Sequence, residues 1–215
     1  MARILSNSIF GPISGALGDL VYSSWKGIQY VRSKPVHVVI SRTAAQLEQR
    51  ARFAFMLKFI QPLKDFLRVG FKSQTAKMSA FNAAMSWNYR NALGGTFPDF
   101  AVDCTKVGVS LGPLTGALNP EVRMGAGGKL EFAWEDNSND RYSMPNDRVM
   151  LLVYHPAGQL AETLIGGNTR RSGGQAIDLP ASFSGKEVHC YMAFQNDSQR
   201  LVSNSQYVGS LNVGT

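Results

Sequence analysis

Hydrophobic and polar positions follow two different periods along the chain, and the change lies near residue 94. Over residues 43–93 apolar side chains recur three or four positions apart, as in amphipathic helices. After Gly94-Gly95 apolar and polar residues alternate in short runs separated by turn residues, which indicates antiparallel strands. The pattern therefore predicts a helical region and a β-rich region, joined by the segment GGTFPDF at residues 94–100.

The helical region contains clear start and stop signals. Thr43 precedes Gln46 by three residues, and a hydroxyl and an amide at this spacing cap a first turn, so a helix is predicted from the residue after Thr43. Pro62 cannot lie inside an undistorted helix, so we expect it to kink this helix or to begin a second one. Gly70 is the predicted stop, and a further helix is predicted over residues 75–93.

The stretch VYSSWKGIQYVRSKP predicts a β-hairpin. Residues 20–25 and 28–32 are rich in Val, Ile, Tyr and Trp, and only two residues separate them, of which Gly27 can adopt a positive φ. A lysine followed by glycine also occurs in phosphate-binding loops, but the earlier glycine that such a loop requires is missing here. We therefore interpret the stretch as architecture, with Trp25 packed on a helix or a neighbouring subunit and Lys26 in solvent.

The second half of the chain predicts an antiparallel β-sandwich. The candidate strands are residues 106–110, 121–124, 129–135, 148–155, 160–164, 175–179, 186–194 and 206–213. Their number, the turn residues between them and an early Trp134 resemble a fibronectin type III or immunoglobulin-like domain. The predicted fold class is thus α+β, with a basic N-terminal β-hairpin and helical domain at residues 1–95 and an antiparallel β-sandwich at residues 96–215.

Positive charge is concentrated in the first hundred residues. The 215-residue chain has a formal net charge of +7; residues 1–100 contain 13 Lys and Arg against 4 Asp and Glu (+9), and residues 101–215 contain 9 against 11 (−2). This asymmetry favours an acidic protein surface, a nucleic acid or another subunit as partner, although a solvated surface that keeps the protein soluble has the same composition. The candidate interface or anion-contact residues are Trp25, Lys26, Tyr30, Arg32, Lys34, Arg42, Arg50 and Arg52. In the first six of them cations alternate with rings, and Arg50 and Arg52 are expected on the solvent side of the first predicted helix.

No catalytic or metal-binding motif is present in the sequence, so we predict a non-enzymatic protein without a cofactor. His37, His155 and His189 are far apart and match no metal-ligand spacing. Cys190 adjoins His189, but neighbouring residues of a strand point to opposite faces. The acidic cluster of Glu135, Asp136, Asp140 and Asp147 lacks the spacing of a calcium loop and is interpreted as a polar loop.

Targeting signals are also missing from the sequence. No run of about eighteen apolar residues could span a membrane, and the N-terminus is a poor signal peptide. The expected location is the cytoplasm, or a virion or other particle assembled from subunits made there. Cys104 and Cys190 are then expected to be free thiols, with one disulfide across the sandwich as the alternative.

Several short segments together resemble an uncharacterised bacterial family known as a domain of unknown function. They are W-K-G at residues 25–27, Y-V-R-S-x-P at 30–35, R-T-x-x-Q at 42–46 and Q-R at 49–50, with further similarity at 59–63 and 205–209. The resemblance implies no established activity. The same order of segments is similar to that of small proteins found among phage genes, which favours a virion or another assembly component.

Three functional hypotheses follow. The first is a structural subunit that self-associates through its N-terminal region and displays the sandwich. The second is a nucleic-acid-associated protein that uses the basic half, with binding that weakens as salt concentration rises. The third is an adhesive or carbohydrate-binding module that acts through the sandwich loops.

Overall fold

A computed structural model describes residues 2–3, 13–25, 27–35, 43–75, 78–139 and 141–214, with two compact units at Met1–Gln46 and Leu47–Thr215. The helices are α1 (Ala44–Ile60), α2 (Lys64–Gly70) and α3 (Ala80–Asn91). The first strands are β1 (Ala2–Arg3), β2 (Gly15–Leu17), β3 (Leu20–Trp25), β4 (Ile28–Ser33), β5 (Leu93–Thr96) and β6 (Asp99–Val102). The remaining strands are β7 (Leu118–Met124), β8 (Lys129–Glu135), β9 (Arg148–His155), β10 (Leu160–Thr169), β11 (Gly174–Asp178), β12 (Glu187–Gln195) and β13 (Gln206–Asn212).

The first unit contains an antiparallel sheet with the strand order β1-β4-β3-β2. Strands β3 and β4 pair from Leu20 opposite Ser33 to Trp25 opposite Ile28, so two residues form the turn between them. Gly27 in this turn has a φ of 77°, which a residue with a side chain rarely adopts. The predicted hairpin is therefore confirmed, and it is extended by a further strand on each side.

The helices begin and end close to the predicted signals, with one exception. The backbone N–H of Gln46 donates to the Thr43 hydroxyl at 3.4 Å, and α1 begins at the next residue after this cap. Pro62 lies in a 3-10 turn between α1 and α2, and α2 ends at Gly70 as predicted. Helix α3 begins five residues later than the predicted residue 75, because the Ser79 hydroxyl caps it by accepting from the N–H of Asn82 at 3.1 Å.

The second unit contains two larger antiparallel sheets, with the strand orders β10-β9-β12-β13 and β11-β8-β7. Seven of the eight predicted strands are confirmed, and the prediction of a strand at residues 106–110 is wrong. Two of its backbone N–H groups donate to side chains instead of a neighbouring strand: Gly108 N–H donates to Asn88 Oδ1 at 2.8 Å and Val109 N–H to Ser205 Oγ at 2.9 Å. The segment is thus an irregular connection between helix and sheet.

One buried cluster lies between the two larger sheets. Strand β9 contributes Val149, Leu151 and Val153 to it, and β8 contributes Leu130, Phe132 and Trp134. Every second residue of each strand takes part, as expected for two sheets that pack face to face.

A second buried cluster joins the opposite face of the four-stranded sheet to the helices. Met150, Leu152 and Tyr154 of β9 lie in this cluster together with Met56 of α1 and Phe66 of α2. The Tyr154 hydroxyl donates to the backbone carbonyl of Phe59 at 2.7 Å. The helices and the four-stranded sheet therefore share this second cluster.

The boundary between the two compact units therefore lies between residues 46 and 47 of the chain, and not between residues 95 and 96 as predicted. The predicted linker at residues 94–100 lies instead within the hairpin of β5 and β6, whose pairing runs from Leu93 opposite Val102 to Thr96 opposite Asp99. Glycine and proline in this segment mark a tight turn, which has the same sequence signature as a connection between domains. Within the part of the chain that the structure describes, no helix has the length and apolar character needed to cross a membrane.

Candidate interaction surface

The N-terminal sheet is the most open part of the described structure. None of the residues described between positions 13 and 46 is buried, although several are large and apolar. The exposed fractions are 71% for Leu17, 42% for Leu20, 49% for Trp25 and 41% for Ile28. Apolar side chains in a sheet normally face a core, so this sheet is a candidate interaction surface.

Strand pairing assigns the side chains of β2, β3 and β4 to two faces, because directly opposite residues point to the same side. One face, here called the uncharged face, consists of Gly15, Leu17, Leu20, Tyr22, Ser24, Gln29, Val31 and Ser33. The other, here called the aromatic face, consists of Ala16, Val21, Ser23, Trp25, Ile28, Tyr30 and Arg32. In these three strands, all charge is therefore confined to the aromatic face.

The structure brings together three of the predicted site residues, namely Trp25, Tyr30 and Arg32, on the aromatic face. Lys34 follows β4 and is exposed, and its backbone N–H donates to the Asp19 carbonyl at 2.6 Å. Lys26 and Arg42 lie outside the described residues.

The two arginines predicted on the solvent side of α1 differ from one another. Arg50 is exposed, as expected. Arg52 is half-buried, with its guanidinium carbon 5.7 Å from the centre of the Tyr89 ring and 5.9 Å from that of Phe100. The prediction of a solvated Arg52 is wrong, because α3 and β6 place two rings beside its stem and favour a cation–π contact.

Arg170 and Asp147 form a buried ion pair that no pattern in the sequence indicates. Arg170 Nη2 lies 3.1 Å from Asp147 Oδ2, and both side chains are almost fully enclosed. The guanidinium also donates to the carbonyls of Thr115 and Gly116 and to Asn137 Oδ1, at 2.8, 3.0 and 2.7 Å. These bonds connect three loops to the end of β10, and they indicate a structural role for an aspartate that the sequence grouped with the polar loop.

The second unit contains two histidines, His155 and His189, and both cysteines of the chain. His189 Nδ1 lies 3.0 Å from the Tyr207 hydroxyl, and burial lowers the pKa of His189, an effect that Glu187 partly opposes. Both cysteines are free thiols, as expected; burial raises the pKa of Cys190 to about 12 and also raises that of Cys104. No group of three or more His, Cys, Asp or Glu among the described residues is placed to hold a metal ion.

Leu17, Leu20 and Tyr22 on the uncharged face were also absent from the predicted site. A signal for them was available, since a two-residue turn fixes which residues of β3 and β4 stand opposite each other. Alternation along β3 then separates Leu20 and Tyr22 from Trp25.

Comparison with known proteins gives one family. The model of DUF6266, described as a family of unknown function, matches residues 12–209 of the chain. No curated protein matches the chain.

Proposed function

The chain belongs to DUF6266, a family of unknown function, and we propose from its physical features that it is a non-enzymatic structural subunit. It self-associates through the N-terminal sheet and displays a fibronectin type III-like sandwich, as a component of a multi-subunit particle such as a virion. The observation that carries the proposal is the sheet in which none of the residues described between positions 13 and 46 is buried.

A small sheet needs a cover for its apolar side chains to be stable in water. A unit as short as Met1–Gln46 generally requires disulfides, a metal or association with another chain. Both cysteines of the protein lie in the second unit, so the first unit cannot be stabilised by a disulfide of its own. Association with a second copy supplies the missing burial without any further component.

The uncharged face is the better surface for contact between copies. A two-fold contact through the aromatic face places the same patch of each subunit together and brings two Arg32 side chains into one interface. Burying like charges is costly unless each finds an acidic partner. Contact through Leu17, Leu20 and Tyr22 carries no such cost, because none of the strand residues assigned to the uncharged face is charged.

The second unit supports the other part of the proposal. Its sheets of four and three antiparallel strands share one buried cluster, and this arrangement resembles a fibronectin type III domain. Such sandwiches serve widely as binding or spacing modules, which suits display on an assembled particle.

A size measurement with a charge variant tests the proposal. The parent protein at micromolar concentration is expected to sediment as an oligomer, and Leu17→Asp is expected to shift it to a smaller species. Leu17 is 71% exposed in the single chain, so the substitution removes little that one chain buries by itself. A buried aspartate without a partner at a subunit contact is strongly unfavourable.

The matched control is Leu118→Asp, which introduces the same change at a 43% exposed leucine in the second unit. This variant is expected to retain the size of the parent. A parent protein that is monomeric throughout the micromolar range contradicts the proposal, and so does an equal loss of size in both variants.

A further inference from the structure

We propose that the aromatic face of the N-terminal sheet binds single-stranded nucleic acid, a function separate from the self-association assigned to the uncharged face. Strand pairing places two rings, Trp25 and Tyr30, and one cation, Arg32, on this face. Contact between copies through the uncharged face leaves the aromatic face open.

Strand pairing places the two rings on the same face of two adjacent strands. Trp25 stands opposite Ile28 and Tyr30 stands opposite Ser23, so Trp25 and Tyr30 are diagonal neighbours on adjacent strands. The Cβ atoms of such neighbours lie about 7–8 Å apart or somewhat less, which is within reach of aromatic side chains. Trp25 is 49% exposed, so about half of its surface faces solvent in the single chain. Aromatic rings on an open sheet stack on unpaired bases of any sequence.

Charge complementarity favours a phosphate chain as the occupant. Arg32 lies two residues beyond Tyr30 on the same strand and the same face, and it is exposed. Residues 1–46 contain five Lys and Arg against a single acidic residue, Asp19, which gives a net charge of +4. None of the residues assigned to the aromatic face is acidic. Phosphates near Arg32 therefore meet a cation with no competing carboxylate among these residues.

The rings distinguish a single strand from other acidic partners. In duplex DNA the bases are stacked on one another, and a flat sheet contacts mainly the backbone. An acidic peptide or a polyphosphate satisfies Arg32 but offers no flat base to Trp25 and Tyr30. Only a single strand uses both the cation and the rings, so affinity for the three classes of ligand separates the alternatives.

Anisotropy of a labelled oligothymidylate measures binding to the full-length protein. An oligonucleotide of about 20 nucleotides is long enough, since such surfaces contact about 4–16 nucleotides. Trp25→Ala is expected to weaken binding at least about fivefold, because loss of one stacked base has an effect of this order. Arg32→Gln is expected to weaken binding and to reduce the salt dependence, d(log K)/d(log salt), by about 0.7 for one lost phosphate contact.

Two further variants control for folding and for general charge. Trp25→Phe keeps a ring and should retain most of the affinity. Binding of the oligonucleotide should quench the fluorescence of Trp25, one of three tryptophans in the chain, and this part of the quenching should disappear in Trp25→Phe. Arg68→Gln removes the same charge from α2, where the side chain is 70% exposed, and should leave binding unchanged. Circular dichroism and particle size of Arg32→Gln should equal those of the parent, because Arg32 is exposed.

Several outcomes overturn the inference. Equal losses in Arg32→Gln and Arg68→Gln identify general electrostatic attraction in place of a surface on the sheet. Equal affinity for polyphosphate, or for duplex DNA of the same length, shows that the rings do not contact bases. Retained affinity in Trp25→Ala has the same meaning, whereas its loss together with a retained particle size supports the proposal.

Discussion

Strands β3 and β9 are both rich in apolar residues, but they are stabilised in opposite ways. Six consecutive residues of β9, from Val149 to Tyr154, are buried, whereas none of the six residues of β3 is. The two buried clusters of the second unit cover both faces of β9, one formed with the neighbouring sheet and the other with the helices. The second unit thus has its own core, whereas none of the residues described between positions 13 and 46 of the first unit is buried.

The sequences of strands β3 and β9 show this difference in their patterns of apolar and polar residues. VMLLVY in β9 is an unbroken apolar run, which is typical of a strand covered on both faces. LVYSSW in β3 mixes apolar residues with serine on both faces, so neither face is apolar enough to define a core. A mixed strand of this kind leaves its apolar side chains partly exposed in the single chain, which is the feature that the proposed self-association explains.

The largest effect is expected from dividing the chain at different residues. A fragment of residues 43–215 keeps the cap of α1 and both clusters of the second unit, so its denaturant midpoint should equal that of the second unit in the full chain. A fragment of residues 96–215 exposes Met150, Leu152 and Tyr154, each worth about 1.5–3 kcal/mol when buried, against a total stability of about 5–15 kcal/mol for a typical domain.

The shorter fragment should therefore lose cooperative unfolding and bind a hydrophobic dye, as measured by circular dichroism and fluorescence. If residues 96–215 unfold as cooperatively as residues 43–215, the helices are not part of the core. Limited proteolysis of the full chain gives an independent measurement, because a stable fragment should begin near residue 47 and not near residue 100.

A smaller loss is expected from removing one partner of the buried ion pair. Asp147→Ala leaves Arg170 enclosed without its carboxylate, which costs about 3–5 kcal/mol in the free energy of unfolding. The matched control is Asp197→Ala, which breaks an exposed pair with Arg148 at 3.7 Å and costs about 0–1 kcal/mol. Urea denaturation measures both losses, and equal values for the two variants contradict a structural role for the buried pair.

The smallest effect is expected from His189, whose pKa burial lowers. The unfolded chain binds this proton more readily than the folded chain, so the contribution of His189 to stability is complete above its ordinary pKa of about 6.5 and declines as the pH falls below that value. In His189→Gln the fall in stability between about pH 7.5 and pH 5.5 should be reduced. An unchanged pH dependence of the denaturant midpoint shows that His189 is equally easy to protonate in both states.

Local features were predictable from the sequence, and long-range packing was not. The bounds of β8 and β9 agree with the predicted strands 129–135 and 148–155, because alternation and turn residues are local signals. The spacing of apolar residues along α1 predicts a helix, but it does not show that Met56, Phe59 and Ile60 pack in one cluster with residues of β9. The predicted boundary at residues 95/96 followed from the change from helical to strand periodicity, but both sides of that change belong to the same unit and contribute to the same buried cluster.

The same limit applies to the candidate surface. The hairpin turn and the alternation along its strands place Trp25, Tyr30 and Arg32 on one face, so this part was within reach of the sequence. Arg52 was assigned to solvent because helical spacing alone cannot reveal that Tyr89 and Phe100 approach it from later elements. The role of an arginine depends on which rings or carboxylates the fold brings to it.

Arg170 also bears on the uniqueness of the fold. It follows an irregularity in which β10 passes from Ile165 to Thr169 while its partner β9 passes only from Met150 to Arg148. Alternative pairings that shift β9 by one residue still place apolar side chains on both of its faces, because six consecutive residues of this strand are apolar. Each of them, however, moves the guanidinium away from Asp147 and from the carbonyls of Thr115 and Gly116, and leaves several buried donors unsatisfied. We infer that this arginine selects one strand register from among several that hydrophobic burial alone does not distinguish.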